Sequence, residues 1–362
     1  MVNKQNYHWV KTFLHYLEDV MQTDKRTTSR YWFYLRHLLL WANESLVTDA
    51  PHIRPTFPAY LVAPGVDPMA PATLKKIIQV SQRFFRWGKA QNPRQFNPLP
   101  ETWIDALKPP RVVQLPAEHV FVIQDEVQRL GSVELPADDL ALRRDQAGAV
   151  LLFLSGMRAG ALGSLPISAV DMTHRTIRQW PALKVHTKNG KSATTYLLPI
   201  PELLAVVERW DEFIRARLPD TAMWYTPING SWGIHKLLEG AAGSNRNVAV
   251  GRRLRKLFAA ADLPFKSAHK FRHGHAVWAL QHAQTMADYK AVSMNLMHSD
   301  IRITDSIYAP LLGSEVRDRI GRLADQANVP ANKGAELVPN GNELSKAQLA
   351  AALRSLADQV AS

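Results

Sequence analysis

"SAHKFRHGHAVWAL", residues 267–280, contains three histidines, one lysine and one arginine within seven positions. Its apolar residues recur at helical spacing and predict a helix, on which His269 and Arg272 lie one turn apart. His269 and His273 have the i,i+4 spacing of zinc ligands on a helix. However, Lys270 and Arg272 lie between them, and their charges repel a divalent cation. We therefore expect no metal site here.

Charge around this helix indicates an anionic partner. The 362-residue chain has 44 Lys/Arg against 32 Asp/Glu, a net charge of +12. Residues 245–275 contain eight Lys/Arg against Asp262 alone, a net of +7, among them Arg252, Arg253, Arg255 and Lys256. Such a local excess is typical of a surface that binds nucleic-acid phosphates. The chain has no cysteine, which excludes disulfides, thiolate catalysis and cysteine-ligated zinc.

The chain divides into four predicted segments. Residues 1–110 are predicted to be helical around a proline-rich connection at 51–71, with Ser29 as a candidate N-cap. Residues 111–116 form a linker at the end of the stretch 97–116, whose five prolines break the helical pattern. Residues 117–327 combine helical patterns with short strands, and residues 328–362 form a loop-like stretch with one tail helix. In the third segment we predict helices over roughly 137–155, 201–217, 246–261 and 267–284.

One helix of the first segment has two distinct faces. Its apolar face is formed by Ile77, Val80, Phe84 and Trp87, which step by 3, 4 and 3. The neighbouring face steps identically and is polar: Lys76, Gln79, Arg83 and Arg86. The simplest explanation of the polar face is an ordinary solvated surface. Contact with DNA is the functional alternative, because residues 1–110 carry a net charge of +6 (14 Lys/Arg against 8 Asp/Glu).

Three further stretches contain residues that could do chemistry. Arg158 follows a buried helix in "LSGMRAGALGSL", whose glycines do not match a phosphate-binding loop. Lys188 lies in "HTKNGKS", which predicts a hairpin turn. His298 and Tyr308 lie ten residues apart in "NLMHSDIRITDSIYAPLL". Taken singly, each residue has a simpler explanation. Arg158 would form an ion pair at a helix end, Lys188 would be solvated, and Tyr308 would be packed in a core.

In this order, however, the set Arg158, Lys188, His269, Arg272, His298 and Tyr308 resembles the catalytic residues of the tyrosine recombinases, the phage-integrase family. The resemblance covers about residues 117–325 as the catalytic domain. It implies a mainly α-helical protein with a small β-hairpin or sheet. A helical N-terminal domain and a mixed catalytic domain would form a C-shaped clamp around DNA.

The resemblance also implies a role for each residue. Tyr308 attacks phosphorus to form a 3′-phosphotyrosine, and Lys188 protonates the 5′-hydroxyl leaving group. His269 is the acid/base near the tyrosine hydroxyl, and His298 hydrogen-bonds the phosphate. Independently of family, the guanidiniums of Arg158 and Arg272 suit the charge that accumulates on phosphate oxygens. Neither metal, ATP nor another cofactor is required.

The chain departs from the family pattern at three places. Ala161 stands where an acidic residue is common, which bears on how the site is oriented. Met297 stands where the family usually has glycine before the histidine. The spacing of ten between His298 and Tyr308 is one longer than the commonest spacing.

The implied partners are double-stranded DNA and copies of the chain, four protomers joining two sites. The tail sequence presents one apolar seam, Leu349, Leu353, Leu356 and Val360, which would pack on its own domain or dock on a neighbouring protomer. Neither a signal sequence nor a membrane-length apolar run is evident, so we expect a cytoplasmic protein. Two alternatives remain, a type IB topoisomerase-like enzyme and a catalytically silent DNA-binding relative.

Overall fold

The computed structural model describes residues 2–111, 120–136, 138–231, 234–240, 246–298 and 302. The chain forms two compact units, Met1–Glu118 and His119–Ser362. The predicted linker from residue 112 onward, Tyr308 and the whole predicted tail segment lie outside the described residues.

The first unit is helical, as predicted. Its helices are α1 (Lys4–Asp19), α2 (Lys25–Ala42), α3 (Phe57–Tyr60), α4 (Pro71–Gln91), α5 (Pro93–Phe96) and α6 (Glu101–Ala106). Helix α4 packs against α1 and α2, and Phe84 contacts Phe13 of α1 and Phe96 of α5 edge to face. The predicted apolar face is confirmed, because Ile77, Val80, Phe84 and Trp87 are all buried.

Two local expectations in this unit are wrong. Helix α2 begins at Lys25 with Asp24 as its N-cap, so Ser29 is an interior residue whose hydroxyl donates to the Lys25 carbonyl. The polar first turn hides the true start, since apolar periodicity begins one turn later. The stretch 97–116 was also expected to break the helical pattern, but it contains α6, which buries Ile104.

The second unit combines helices with two small antiparallel sheets. Its helices are α7 (Gln124–Ser132), α8 (Leu140–Ser155), α9 (Ala159–Gly163), α10 (Pro201–Arg215), α11 (Arg246–Ala260), α12 (Ala268–His282) and α13 (Met286–Asn295). Strands β1 (Val170–Asp171), β2 (Thr176–Gln179) and β3 (Ala193–Tyr196) form one sheet, and β4 (Ile228–Ser231) pairs with β5 (Ile234–Leu237). The predicted mainly α fold with a small sheet is confirmed.

Helix α8 forms the centre of this unit. Residues 147–154 are buried on every side, as their continuous apolar run predicts, and α7, α10, α11 and α12 pack around them. The helix ends at Gly156, whose φ of +63° is the left-handed conformation that favours glycine. A Cβ atom there would lie 2.7 Å from the His275 ring, so this glycine also permits close packing of α12.

A buried ionic cluster joins α8 to α11. The carboxylate of Asp145 accepts hydrogen bonds from Arg144 at 2.7 Å, from Arg253 at 2.6 Å and from the Tyr225 hydroxyl. Arg144 also donates to the Thr226 carbonyl at 2.8 Å. Because a buried carboxylate is costly unless paired, removing either arginine is expected to destabilise this helix pair.

Within the described part of the chain, no helix is both long and apolar enough to span a bilayer.

Candidate active site

Arg272 lies on the first turns of α12 and is 2% exposed. Its guanidinium donates to the carbonyl of Gly156 at 2.7 Å and to the carbonyl of Leu296. One contact is to the residue that ends α8 and the other to the residue after α13. Because arginine keeps its charge when buried, these bonds hold a permanent cation in a fixed orientation.

Arg158 is placed near Arg272 by the end of α8. The left-handed Gly156 turns the chain, and Arg158 follows in an extended conformation (φ −82°, ψ 148°) as the residue that precedes α9. Its side chain is half-buried. The charges of Arg158 and Arg272 both act on His269 and on His298, so the four side chains form one cluster.

Both histidines in the cluster are neutral at pH 7. Partial desolvation and the charges of Arg272, Arg158 and Lys270 lower the pKa of His269, although its ring is exposed at the surface. Burial and, to a smaller extent, the charges of Arg272 and Arg158 lower the pKa of His298 to about 4. A neutral imidazole can accept one proton and donate another, as general acid–base chemistry requires.

Lys188 lies in the connection between β2 and β3. This connection is longer than a tight hairpin turn and contains two 3₁₀ turns, Pro181–Leu183 and Lys188–Gly190. The predicted tight hairpin turn at Lys188 is therefore wrong. The His186 amide donates to the Ser164 hydroxyl at 2.7 Å, which fastens this connection beside α9. The Lys188 side chain is exposed.

Two other tyrosines are unsuited to nucleophilic attack. Tyr289 lies on α13 and its ring packs against the buried cluster Ala276, Val277, Leu280 and Leu296. Tyr225 is 2% exposed and bonded to Asp145, and burial raises the pKa of its hydroxyl. A phenol that is harder to deprotonate is a poorer nucleophile.

The structure gives a physical context to two departures from the family pattern. Ala161 is buried on α9 at 1% exposure, so a carboxylate at this position would be desolvated. Met297 has a φ of +54°, the left-handed region that glycine adopts without cost. Met297 therefore carries backbone strain in the residue immediately before His298.

The predicted DNA-binding residues have different surroundings. On α4, Lys76 and Gln79 are exposed, Arg83 lies over the Tyr31 ring, and Arg86 pairs with Asp105 at 2.7 Å. On α11, Arg252, Arg255 and Lys256 are exposed. Arg253 differs, because Asp145 holds its guanidinium within the domain.

Sequence patterns missed Asn295, the last residue of α13. Its side-chain amide bonds both backbone groups of Tyr196 on β3, with Tyr196 N–H to Oδ1 at 2.7 Å and Nδ2 to the Tyr196 carbonyl at 3.0 Å. The two residues are 99 positions apart, so no local pattern could indicate the contact.

Comparisons with known proteins agree with this architecture. The phage integrase family model matches residues 121–314, more than half of the chain. The chain resembles the DNA-bound dimer of lambda integrase residues 75–356, with 13% identity, a TM-score of 0.58, and coverage of 83% of this chain and 94% of that one. It also resembles the Tn1549 transposon integrase in complex with transposon right-end DNA, with 16% identity, a TM-score of 0.55, and coverage of 90% and 100% respectively. A search of curated proteins gives no match.

The chain belongs to the phage integrase family. It is a site-specific tyrosine recombinase, an enzyme that cuts and rejoins DNA. Family membership disfavours the topoisomerase-like and binding-only alternatives.

Proposed function

We propose that Tyr308 is the nucleophile of this recombinase and that Arg158, Lys188, His269, Arg272 and His298 are its catalytic partners. The observation that carries the proposal is the cluster of two arginines and two neutral histidines at the meeting point of α8, α12 and the end of α13. Its chemistry fits a phosphodiester, because guanidiniums bind non-bridging oxygens in pairs.

The reaction proceeds by exchange of one phosphodiester for another. The Tyr308 oxygen bonds to phosphorus as the bond to the 5′-oxygen breaks, and His269 takes the phenol proton. Lys188 gives a proton to the departing 5′-oxygen, while Arg158, Arg272 and His298 bind the developing charge. Such charge stabilisation is typically worth ~10²–10³ in rate for each donor. Because the phosphotyrosine conserves the ester, rejoining needs no ATP.

We further propose that α11 and α4 each contact the DNA backbone. On α11 the contacts fall to Arg252, Arg255 and Lys256, and Arg253 instead anchors the helix to Asp145. On α4 they fall to Lys76, Gln79, Arg83 and Arg86. These contacts add affinity without reading sequence. Substituting Lys256 should weaken binding similarly for all duplexes, whereas Arg253→Ala should mainly lower stability.

The protein acts as a tetramer on two DNA sites, and its tail helix docks on a neighbouring protomer. A cavity of about 650 Å³ between β3 and α12–α13 supports this docking, because it is lined by apolar residues such as Leu198, Ala279 and Val292. The aliphatic tail seam has matching chemistry. Truncation after Asn328 should preserve cleavage at a single bound site and weaken cooperative assembly in gel shifts. Unchanged cooperativity with a less stable monomer would instead show docking in cis.

A nicked suicide duplex tests the nucleophile directly, because loss of the short strand traps the covalent adduct. Tyr308→Phe removes only the hydroxyl, so DNA binding should persist while the adduct disappears. Tyr289→Phe is the matched control and should still form adduct. Peptide mapping of the wild-type adduct should place DNA on "ITDSIYAPLLGSEVR". Adduct on Tyr308→Phe, or DNA attached at Tyr289, would overturn the assignment.

A further inference from the structure

The proposed active site is built from two separate parts of the second unit. Lys188 lies on the connection between β2 and β3, whereas Arg272 and His298 belong to α12 and the end of α13. A general acid works only within hydrogen-bond reach of the group that it protonates. The distance between the sheet and α13 therefore has to be fixed.

Asn295 fixes α13 to the sheet, because its side-chain amide bonds the backbone of β3 as a neighbouring strand would. Its amide accepts from the N–H of Tyr196 at 2.7 Å and donates to the carbonyl of the same residue at 3.0 Å. Tyr196 is the last residue of β3, so the contact is made at one end of that strand. Both polar groups of one peptide residue are satisfied by a single side chain.

His275 supports this amide orientation from α12. Its Nδ1 lies 2.7 Å from the carbonyl of Phe153 and must carry the proton in that hydrogen bond. The other ring nitrogen, Nε2, is then an acceptor and lies 3.5 Å from Nδ2 of Asn295. Asn295 thus contacts β3 and α12 at once, with its donor and acceptor atoms each facing a complementary group.

The same residue begins the segment that leads into the active site. Leu296 follows and gives its carbonyl to Arg272, Met297 adopts the left-handed conformation, and His298 comes next. On the sheet side, β3 continues back to the turn that contains Lys188. A displacement at Asn295 is therefore passed to both parts of the site.

We propose that Asn295 is a positioning residue that holds the Lys188-bearing sheet in register with the Arg272–His298 segment during proton delivery to the leaving group. This rests on the proposed function. Simple protection of a sheet edge is the competing explanation. Edge protection would affect folding alone, whereas positioning affects the protonation step selectively.

The test compares two nicked suicide duplexes that differ in one atom. One has the normal bridging 5′-oxygen at the cleavage position, and the other has a bridging 5′-sulfur, which leaves as a thiolate and needs no proton. Single-turnover adduct formation is measured for wild type, Asn295→Ala, Asn295→Asp and Lys188→Ala. Met294→Ala is the matched control, because its side chain neighbours Asn295 on α13 and is 65% exposed.

Asn295→Ala should slow adduct formation on the oxygen substrate by up to about 100-fold, the cost of a misplacement near 1 Å. The sulfur substrate should restore most of this rate, and DNA affinity should change little. Asn295→Asp keeps the acceptor but loses the donor, so it should fold and show a smaller loss with the same rescue. Met294→Ala should behave as wild type on both substrates.

Equal losses on both substrates for the Asn295 variants, or a wild-type rate together with lower stability, would overturn the proposal. If Asn295→Ala does not fold, the Asn295→Asp comparison decides in the same way. Rescue of the Asn295 variants without rescue of Lys188→Ala would retain the proposal and reject Lys188 as the acid. The two assignments therefore fail separately.

Discussion

Gly274 offers a severe test of how α12 is held in place. A Cβ atom at this position would lie 1.8 Å from the backbone carbonyl oxygen of Val122. Ordinary carbon–oxygen contacts are about 3.3 Å, so Gly274→Ala must displace the helix or the Val122 segment by roughly 1.5 Å. The hydrogen bond from the Val122 amide to the Lys270 carbonyl at 3.1 Å would be strained as well.

The expected magnitude follows from two opposing effects. Alanine favours a helix interior over glycine by about 1 kcal/mol, while forced overpacking costs about 1–3 kcal/mol or more. We expect Gly274→Ala to lower the free energy of unfolding by about 2 kcal/mol. Because α12 carries His269 and Arg272, adduct formation should fall by up to about 100-fold.

Gly251→Ala is the matched control for this experiment. Gly251 is an interior residue of α11, and an added Cβ would meet no atom of the described chain within 4 Å. It should therefore raise the free energy of unfolding by up to about 1 kcal/mol. Chemical denaturation measures both variants. Wild-type stability and a wild-type adduct rate for Gly274→Ala would refute this account of the contact.

Three further outcomes are expected. Arg272→Lys should abolish most adduct formation with little change in DNA affinity, because one ammonium group cannot replace a guanidinium that bonds the carbonyls of Gly156 and Leu296. Near-normal cleavage by this variant would contradict the assignment. Met297→Gly should raise the free energy of unfolding by up to about 1 kcal/mol, because glycine adopts a φ of +54° without strain. A lower free energy of unfolding in chemical denaturation would count against strain at this residue. Burial lowers the pKa of His275 from 6.5 to about 4, so protonation favours the unfolded chain. Stability should fall by about 3 kcal/mol as pH decreases from 6.5 to 4, and His275→Gln should flatten that dependence in denaturation curves.

Local patterns in the sequence predicted most of the helical fold. Helix α8 was predicted because its apolar run is continuous, and α12 because its residues repeat at helical spacing. The start of α2 was missed because a polar first turn carries no apolar period. The residues of the arginine–histidine cluster were found through their order along the chain, which periodicity alone does not reveal.

Contacts between distant residues could not be predicted in the same way. Asn295 reads as an ordinary polar residue at a helix end until Tyr196 is placed beside it. Arg253 looks equivalent to Arg252 and Arg255 in the sequence, and only the fold brings Asp145 to its guanidinium. These side chains acquire their roles from tertiary packing.

The ionic cluster at Asp145 also bears on how DNA affinity responds to salt. Each phosphate neutralised by a protein cation releases counterions and contributes a slope of about −0.9 in log K against log salt concentration. Residues 245–275 contain eight Lys/Arg, which would give about −7 if all of them contacted phosphates. Arg253 is bonded to Asp145, Lys266 to Glu126, and Arg246 to the Tyr225 carbonyl. Because these three charges are held inside the protein, we expect the stretch to contribute a slope of about −4 to −5, so that DNA affinity falls less steeply with salt than the composition suggests.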